Sequence, residues 1–277
     1  MTASVLEDYS RLCLHTITTK PWSLETAIEK YANAGVKGVT VWRQWLDGKD
    51  PRQAGQLIRD AGLEIVSYCR GGFFPAPDAS GRQAAIDDNL KMIDEAAALG
   101  TKLIVLVCGA VPGQTLPESR NQIGDGISAI VEHAGSAGIK LGIEPLHPMY
   151  ADDRSAINTL CQANDLCDQI QDSHVGVAVD IYHLWWDPDL KREIIRSGKA
   201  DRLLAFHICD WMTPTEDILN DRGLMGDGCI NIREIRGWVE DAGFRGFIEV
   251  EIFSNKWWQK DQDMFLAAIQ NAYLHCS

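Results

Sequence analysis

Four side chains able to bind a metal or move a proton stand near the ends of strand-like runs in the second half of the sequence. They are Glu144 in KLGIEPLHP, Asp180 in VGVAVDIYH, His207 in LLAFHICDW and Glu251 in GFIEVEIFS. Each alone has an ordinary structural explanation, a strand-end histidine most of all. Acids that end apolar strands are harder to explain that way, because a buried carboxylate without a partner is costly. A divalent cation shared by all four is the common explanation. Three carboxylates and one imidazole suit Mn2+, Mg2+ or Co2+ better than a thiol-bound structural zinc, and Mn2+ is the first expectation. Glu249 shares a strand face with Glu251 and is expected one layer deeper, as a partner to the ligands.

Further polar groups accompany these four. His147 lies three residues beyond Glu144, His183 three beyond Asp180, and Asp210 three beyond His207. His15 is in the first strand-like run, and Arg222 sits in DRGLMGDG, whose glycines let a backbone fold tightly over a ligand. Nine tryptophans in 277 residues is an enrichment. Trp42, Trp45, Trp185, Trp186, Trp211, Trp257 and Trp258 fall near the same strand ends, where aromatic faces suit the C–H surface of a sugar or cyclic polyol. Trp257 and Trp258 are equally suited to core packing or to a contact between subunits.

The elements that must position these residues repeat along the chain. An apolar strand, a polar turn and an amphipathic helix end at Ala34-Gly35, Ala61-Gly62, Leu99-Gly100, Ala137-Gly138 and Ala242-Gly243, and glycine just past a helix accepts the left-handed conformation that stops it. GVTVW, LEIVSYC, TKLIVLVCG, IKLGIEP and FRGFIEVEIF follow these stops as short Val- and Ile-rich runs, as strands covered on both faces do. With CLHTIT at 13–18, VGVAVDIYH at 175–183 and LLAFHICDW at 203–211 the count reaches eight. Helices are expected over 23–34, 51–61, 82–99, 118–137, 155–169, 189–200, 231–242 and 260–273, with Ser23 as a cap and Pro51 at a first helical position. Eight alternating units without a Pro-, Gly- or Ser-rich linker predict an α/β fold, a single (β/α)8 TIM barrel over residues 1–277. A doubly wound sheet would want a Gly-rich turn after the first strand, and HTITTKPW has none. The loops GGFFPAPDAS, GAVPGQTLP and Met212 to Cys229 are long enough to build over a pocket at the strands' C-terminal ends.

A net charge of −13 argues against nucleic acid or an anionic membrane surface as partner. The first residues have no basic region ahead of an apolar run, and no stretch has the length of a membrane span. The eight cysteines are scattered without a CxxC pair, and Cys69, Cys108 and Cys209 sit in or beside apolar runs. A reducing, cytoplasmic setting is expected.

GIEPLHP, VDIYHLWWD, HICDW with DRGLMGDGCIN, and GFIEVEIFS, in this order, resemble the xylose-isomerase-like barrel superfamily of sugar isomerases and epimerases. Its members include ketose 3-epimerases, hydroxypyruvate isomerase and inosose dehydratase, and the resemblance runs over essentially the whole chain. It implies one divalent metal held by Glu144, Asp180, His207 and Glu251, with Glu144 and Glu251 also serving as the acid/base pair. It also implies that His183 and Arg222 bind substrate oxygens, with His15, Trp42, Asp210 and Trp211 further candidates around the substrate. The chain departs from the epimerases where Cys209-Asp210-Trp211 follows the histidine, and where His147 adds a base after Glu144.

The expected activity is therefore a metal-dependent isomerase or epimerase of a ketose or keto-polyol. It would act by proton abstraction next to a metal-bound carbonyl, through an enediolate. The alternative is a lyase of the inosose-dehydratase or 3-keto-glycoside type, in which His147 or Asp210 protonates a departing hydroxyl. Phosphodiester hydrolysis, as in the endonuclease-IV branch, needs more histidines and a basic groove. A non-catalytic sugar-binding barrel would not need four ligand-type residues at four strand ends. A homodimer or homotetramer is expected from the superfamily.

Overall fold

The computed structural model describes residues 4–277. Seven strands form in chain order: β1 (Leu12–His15), β2 (Gly38–Trp42), β3 (Glu64–Gly72), β4 (Leu103–Val107), β5 (Lys140–Glu144), β6 (Val175–Asp180) and β7 (Leu203–Ile208). A closing strand, Ile248–Val250, pairs in parallel with both β7 and β1, so the sheet returns on itself. This closed parallel order is the expected (β/α)8 barrel and excludes an open doubly wound sheet.

The helices α1 (Leu24–Asn33), α2 (Pro51–Asp60), α3 (Ala79–Leu99), α4 (Leu116–Ser136) and α5 (Leu160–Ile170) lie near their expected spans. Ser23, Asp50, Asp78, Thr115 and Thr159 cap them by accepting from backbone N–H groups of the first turn. The expected helix from 155 starts five residues later, because Ser155 forms a β-bridge with Gly109 and the chain stays extended until Thr159. Gly100 closes α3 with φ of 94°, a conformation that a Cβ would oppose. The outer helices Leu190–Lys199, Ile232–Asp241 and Gln262–Cys276 complete the ring. Among the described residues no helix is long and apolar enough to cross a membrane.

Strand alternation divides the core into two parts. Ile104, Leu106, Ile143, Val177, Val179, Phe206 and Ile208 face outward and pack under the helices. Cys69, Leu103, Val105, Ala178 and Ala205 face inward and form a separate cluster inside the barrel. The inward positions include polar side chains, and these lead to the mouth.

Strand β3 departs from regular alternation. Cys69 is opposite Val105 on β4 but Gly71 is opposite Leu106, so Arg70 is one residue in excess. Such a bulge turns the chain by half a pleat. A Cβ on Gly71 would meet Asn89 Oδ1 at 2.8 Å and Leu106 on the helix side, which shows that the phase has flipped there. Asn89 of α3 repairs the interrupted ladder: Gly72 N donates to its Oδ1 at 2.7 Å, and its Nδ2 donates to Gly72 O at 2.8 Å.

Candidate metal centre

Glu144 ends β5, Asp180 ends β6, His207 is the penultimate residue of β7, and Glu251 follows the closing strand. All four are buried. Two residues earlier on the same faces stand Gly142, Ala178, Ala205 and Glu249, so on three strands a small residue lies beneath the functional one. On the fourth, Glu249 is the floor, as its position predicted. Its Oε2 accepts from Thr40 at 2.6 Å and Ser67 at 3.2 Å, and it approaches His15 Nε2 at 3.3 Å and His207 Nε2 at 3.7 Å.

Potential ligand atoms gather in two overlapping groups that share His207. Glu144, Asp180 and His207 form one, and His15, His207 and Glu251 the other, with the atoms of each group within 4.8 Å of one another. Glu144 Oε1 and His207 Nδ1 are 2.9 Å apart, yet neither makes an aligned hydrogen bond, and His207 Nε2 is buried and unbonded too. Close approach without alignment is what two donors to one cation show: atoms about 2.1 Å from a metal and at right angles lie about 3 Å apart. The donor set and its orphaned atoms therefore fit a divalent cation.

Charge reinforces this. Burial disfavours the His207 cation, but Glu249 and Glu144 outweigh it and push the imidazole up to about 10, a mark of excess negative potential. Burial drives Asp180 upward, against the pull of Arg222. Burial also opposes ionisation of Glu251, but Arg222 and His15 reverse this and hold it well below the carboxylate range. Arg222 donates to Glu251 Oε2 at 2.5 Å and to Asp180 Oδ2 at 3.4 Å, and its guanidinium lies between the rings of Tyr182 and Phe253. It reaches this position from the loop after β7, where Arg222–Gly223 pairs with Asp210–Trp211 in a two-stranded ribbon.

A cavity of about 300 Å3 opens over these groups. Glu144, Glu251, His183, Arg222 and Trp42 line it. His183 lies on a helical turn, Ile181–Leu184, capped by Asp180, whose carboxylate accepts from Tyr182 N at 2.8 Å. Burial and Arg222 hold the His183 imidazole well below its usual range, so it is neutral, with Nδ1 unpartnered. His15 touches Glu251 at 3.0 Å through Nδ1, to which Trp42 Nε1 donates at 3.2 Å.

Three expected substrate or catalytic residues fall elsewhere. Asp210 accepts from the backbone N–H groups of Trp211, Gly226 and Ile230, so its carboxylate fastens the loop after β7 instead of facing substrate. His147 packs on Trp211 and Trp186, with Nδ1 accepting from Met149 N at 3.2 Å, and Trp211 lies against Tyr182 and Trp185. None of the three lines the cavity. The reason is the end of β7 at Ile208, after which Asp210 and Trp211 belong to the ribbon. Trp257 stacks on Phe265 at 4.6 Å, and Trp258 donates to Ile17 O and Thr18 O, so both tryptophans have partners within the chain.

Arg70, Arg154, Tyr150 and Phe253, which nothing in their local sequence marks as site residues, also line the cavity. Alternation alone points Arg70 outward, and no local signal marks the bulge that turns it in. Tyr150 OH donates to Ile218 O and ties the loop after β5 to the loop after β7.

A family model described as xylose isomerase-like TIM barrel matches residues 28–268. Protein SMc04130 from Sinorhizobium meliloti superposes with a TM-score of 0.94 at 45% identity, covering 97% of this chain and 99% of that one. A 3-dehydroshikimate dehydratase from Pseudomonas putida is 28% identical over 242 residues, which is 84% of this chain and 36% of the dehydratase. An inosose isomerase from Bacillus licheniformis is 24% identical over 195 residues, covering 68% of this chain and 66% of the isomerase. This chain thus spans little more than a third of the dehydratase and just under two thirds of the isomerase.

Proposed function

The chain belongs to the xylose isomerase-like TIM barrel family, and we propose that it is a divalent-metal-dependent isomerase or epimerase of a ketose or keto-polyol. The observation that carries this reading is that two carboxylates, Glu144 and Glu251, line one cavity and each belongs to a cluster containing His207. In it, Glu144, Asp180, His207 and Glu251 hold the cation, with His15 close enough to join them. The bound cation supplies Lewis acidity toward a carbonyl oxygen. Mn2+ remains the first choice for three carboxylates and an imidazole, while participation of His15 would bring Zn2+ within range.

The chain's own groups account for the remaining steps. One of Glu144 and Glu251 takes a proton from the carbon beside the carbonyl, and the other returns one, which exchanges the configuration or the position of the carbonyl. Arg222, fixed by Glu251 and Asp180, and the neutral His183 offer hydrogen bonds to substrate oxygens. Trp42 and Phe253 pack edge to face at 5.3 Å and give the substrate's C–H face an apolar wall. In this reading one barrel, formed by the described residues, holds the whole site. A small neutral or charged polyol is the partner, and assembly into a dimer or tetramer is to be read from mass in solution.

A lyase is the second reading, favoured by the dehydratase relative. It shares the first proton abstraction, after which a β-hydroxyl departs. The proton for the leaving oxygen would come from the carboxyl that took the carbon-bound proton, with His183, which lines the cavity, as a hydrogen-bond donor to that oxygen, whereas His147 and Asp210 are turned away. Metal-supplemented protein incubated in D2O with ketoses, inososes, 3-keto sugars and 3-dehydroshikimate tests both. Deuterium entering a recovered or epimeric ketone supports the first reading, and enone absorbance with loss of water supports the second. No exchange and no elimination across the panel, with metal content verified, overturns the proton-abstraction reading.

A further inference from the structure

Two arginines on the cavity wall form no ion pair among the described residues. Arg70 and Arg154 both line it, and neither makes a side-chain hydrogen bond or an ion pair among the described residues. Their contacts are to aromatic rings: Arg70 lies 4.5 Å from the centroid of Phe73 and 5.9 Å from that of Trp42, and Arg154 lies 5.8 Å from that of Tyr150. The other cavity arginine, Arg222, is ion-paired through one guanidinium nitrogen to Glu251 and Asp180. In a chain with 39 acidic and 26 basic residues, two unpaired guanidiniums on one small cavity are conspicuous.

Both are held there by specific backbone features. Arg70 is the extra residue of the β3 bulge, and regular alternation would send it to the helix layer. Arg154 lies in the loop after β5, where Gly109 N donates to its carbonyl at 2.9 Å and Ser155 pairs with Gly109, so the loop is pinned to the end of β4. The two cations feel one another: burial lowers the pKa of Arg70 and Arg154 adds to that lowering, against the opposing pull of Glu144 and Glu251. Like charges held together on a water-accessible wall repel until an anion lies between them. Guanidinium groups bind carboxylate and phosphate oxygens through paired, charge-assisted hydrogen bonds.

We propose that Arg70 and Arg154 form an oxyanion clamp, so that the substrate of this site is a keto-polyol carrying a carboxylate or a phosphate. The clamp deepens the proton-abstraction reading and rests on it for the identity of the reacting end. It offers the substrate's own negative charge a cationic wall in a cavity that Glu144 and Glu251 also line. A cavity of about 300 Å3 has room for a sugar-sized acid.

Binding by titration calorimetry to the metal-loaded protein tests the clamp separately from turnover. D-Fructose, D-fructuronate and D-fructose 6-phosphate supply neutral, carboxylate and phosphate arms on an open chain, and 3-dehydroshikimate and its methyl ester supply a cyclic pair. The charged member of at least one pair is expected to bind about tenfold or more tightly than its neutral counterpart. Arg70→Gln and Arg154→Gln should each remove most of that preference while changing neutral binding less than about twofold. Which arm shows the preference decides between carboxylate and phosphate. An equal affinity for charged and neutral members in every pair overturns the clamp. A preference that survives both substitutions does so too, because the anion is then held elsewhere, including directly on the metal. Should Arg70→Gln disturb β3 and lower the thermal midpoint, Arg154→Gln on its loop decides the matter alone. Absence of deuterium exchange alongside a clear charge preference would sink the proton-abstraction reading and leave the clamp standing.

Discussion

Replacing Arg222 by Met removes one charge from the candidate centre while keeping most of the volume between Tyr182 and Phe253. Arg222 is 4% exposed, and it is the arginine that neutralises both Asp180 and Glu251. Removing one partner from a buried ion pair costs about 3–5 kcal/mol, because the remaining charge has lost its compensation. For a chain of this size about 1 kcal/mol corresponds to roughly 2–4 °C, so the metal-free variant should melt about 6–20 °C below the parent. Divalent metal should then restore more stability to the variant than it adds to the parent, since cation and guanidinium neutralise the same carboxylates. A tenfold gain in metal affinity would add about 1.4 kcal/mol at saturating metal. Thermal melts of both proteins in EDTA and in excess Mn2+ or Zn2+ measure the four midpoints needed. A metal-free variant within about 2 °C of the parent, or a metal-induced rise no larger in the variant, would refute the shared neutralisation of Asp180 and Glu251.

Glu251→Gln, with bound metal verified separately, should lower turnover by about two orders of magnitude or more if Glu251 transfers a proton, and near-normal turnover removes it from that role. His147→Ala should change turnover less than about threefold, because its ring packs outside the cavity; a loss like that of Glu251→Gln would return it to the reaction. Asn89→Ala strands the buried N–H and C=O of Gly72 and should cost about 2–4 kcal/mol, read as a lower denaturation midpoint. Asp210→Ala frees three backbone amides, so hydrogen exchange and proteolysis should rise across Met212 to Cys229 while β7 stays protected.

The barrel was readable because its signals are local and repeated. The five glycine stops and the Val- and Ile-rich runs after them need no long-range information, and the strands formed where those runs lie. The strand-end positions of Glu144, Asp180, His207 and Glu251 were legible for the same reason, since each follows an apolar run. The position of Asp210 and Trp211 off the cavity was not legible, because nothing in LLAFHICDW marks where the barrel strand ends and the ribbon begins. Arg70 and Arg154 were missed for a different reason. Their direction depends on how β3 registers with β4 and on how the loop after β5 is pinned to Gly109. Both are pairings between distant segments that no local pattern announces.

The excess residue in β3 also says something about how such a site can change over generations. A bulge is a matter of chain length, so deleting one codon near Arg70 would restore regular pairing from Cys69 onward and turn the arginine out under the helices. Every inward position on the other strands, the floor at Glu249 included, would keep its place. Deletion of a single residue would thus take Arg70 out of the proposed clamp as surely as its substitution would. Length variation between Tyr68 and Gly72 among related genes is where such a loss would leave its trace.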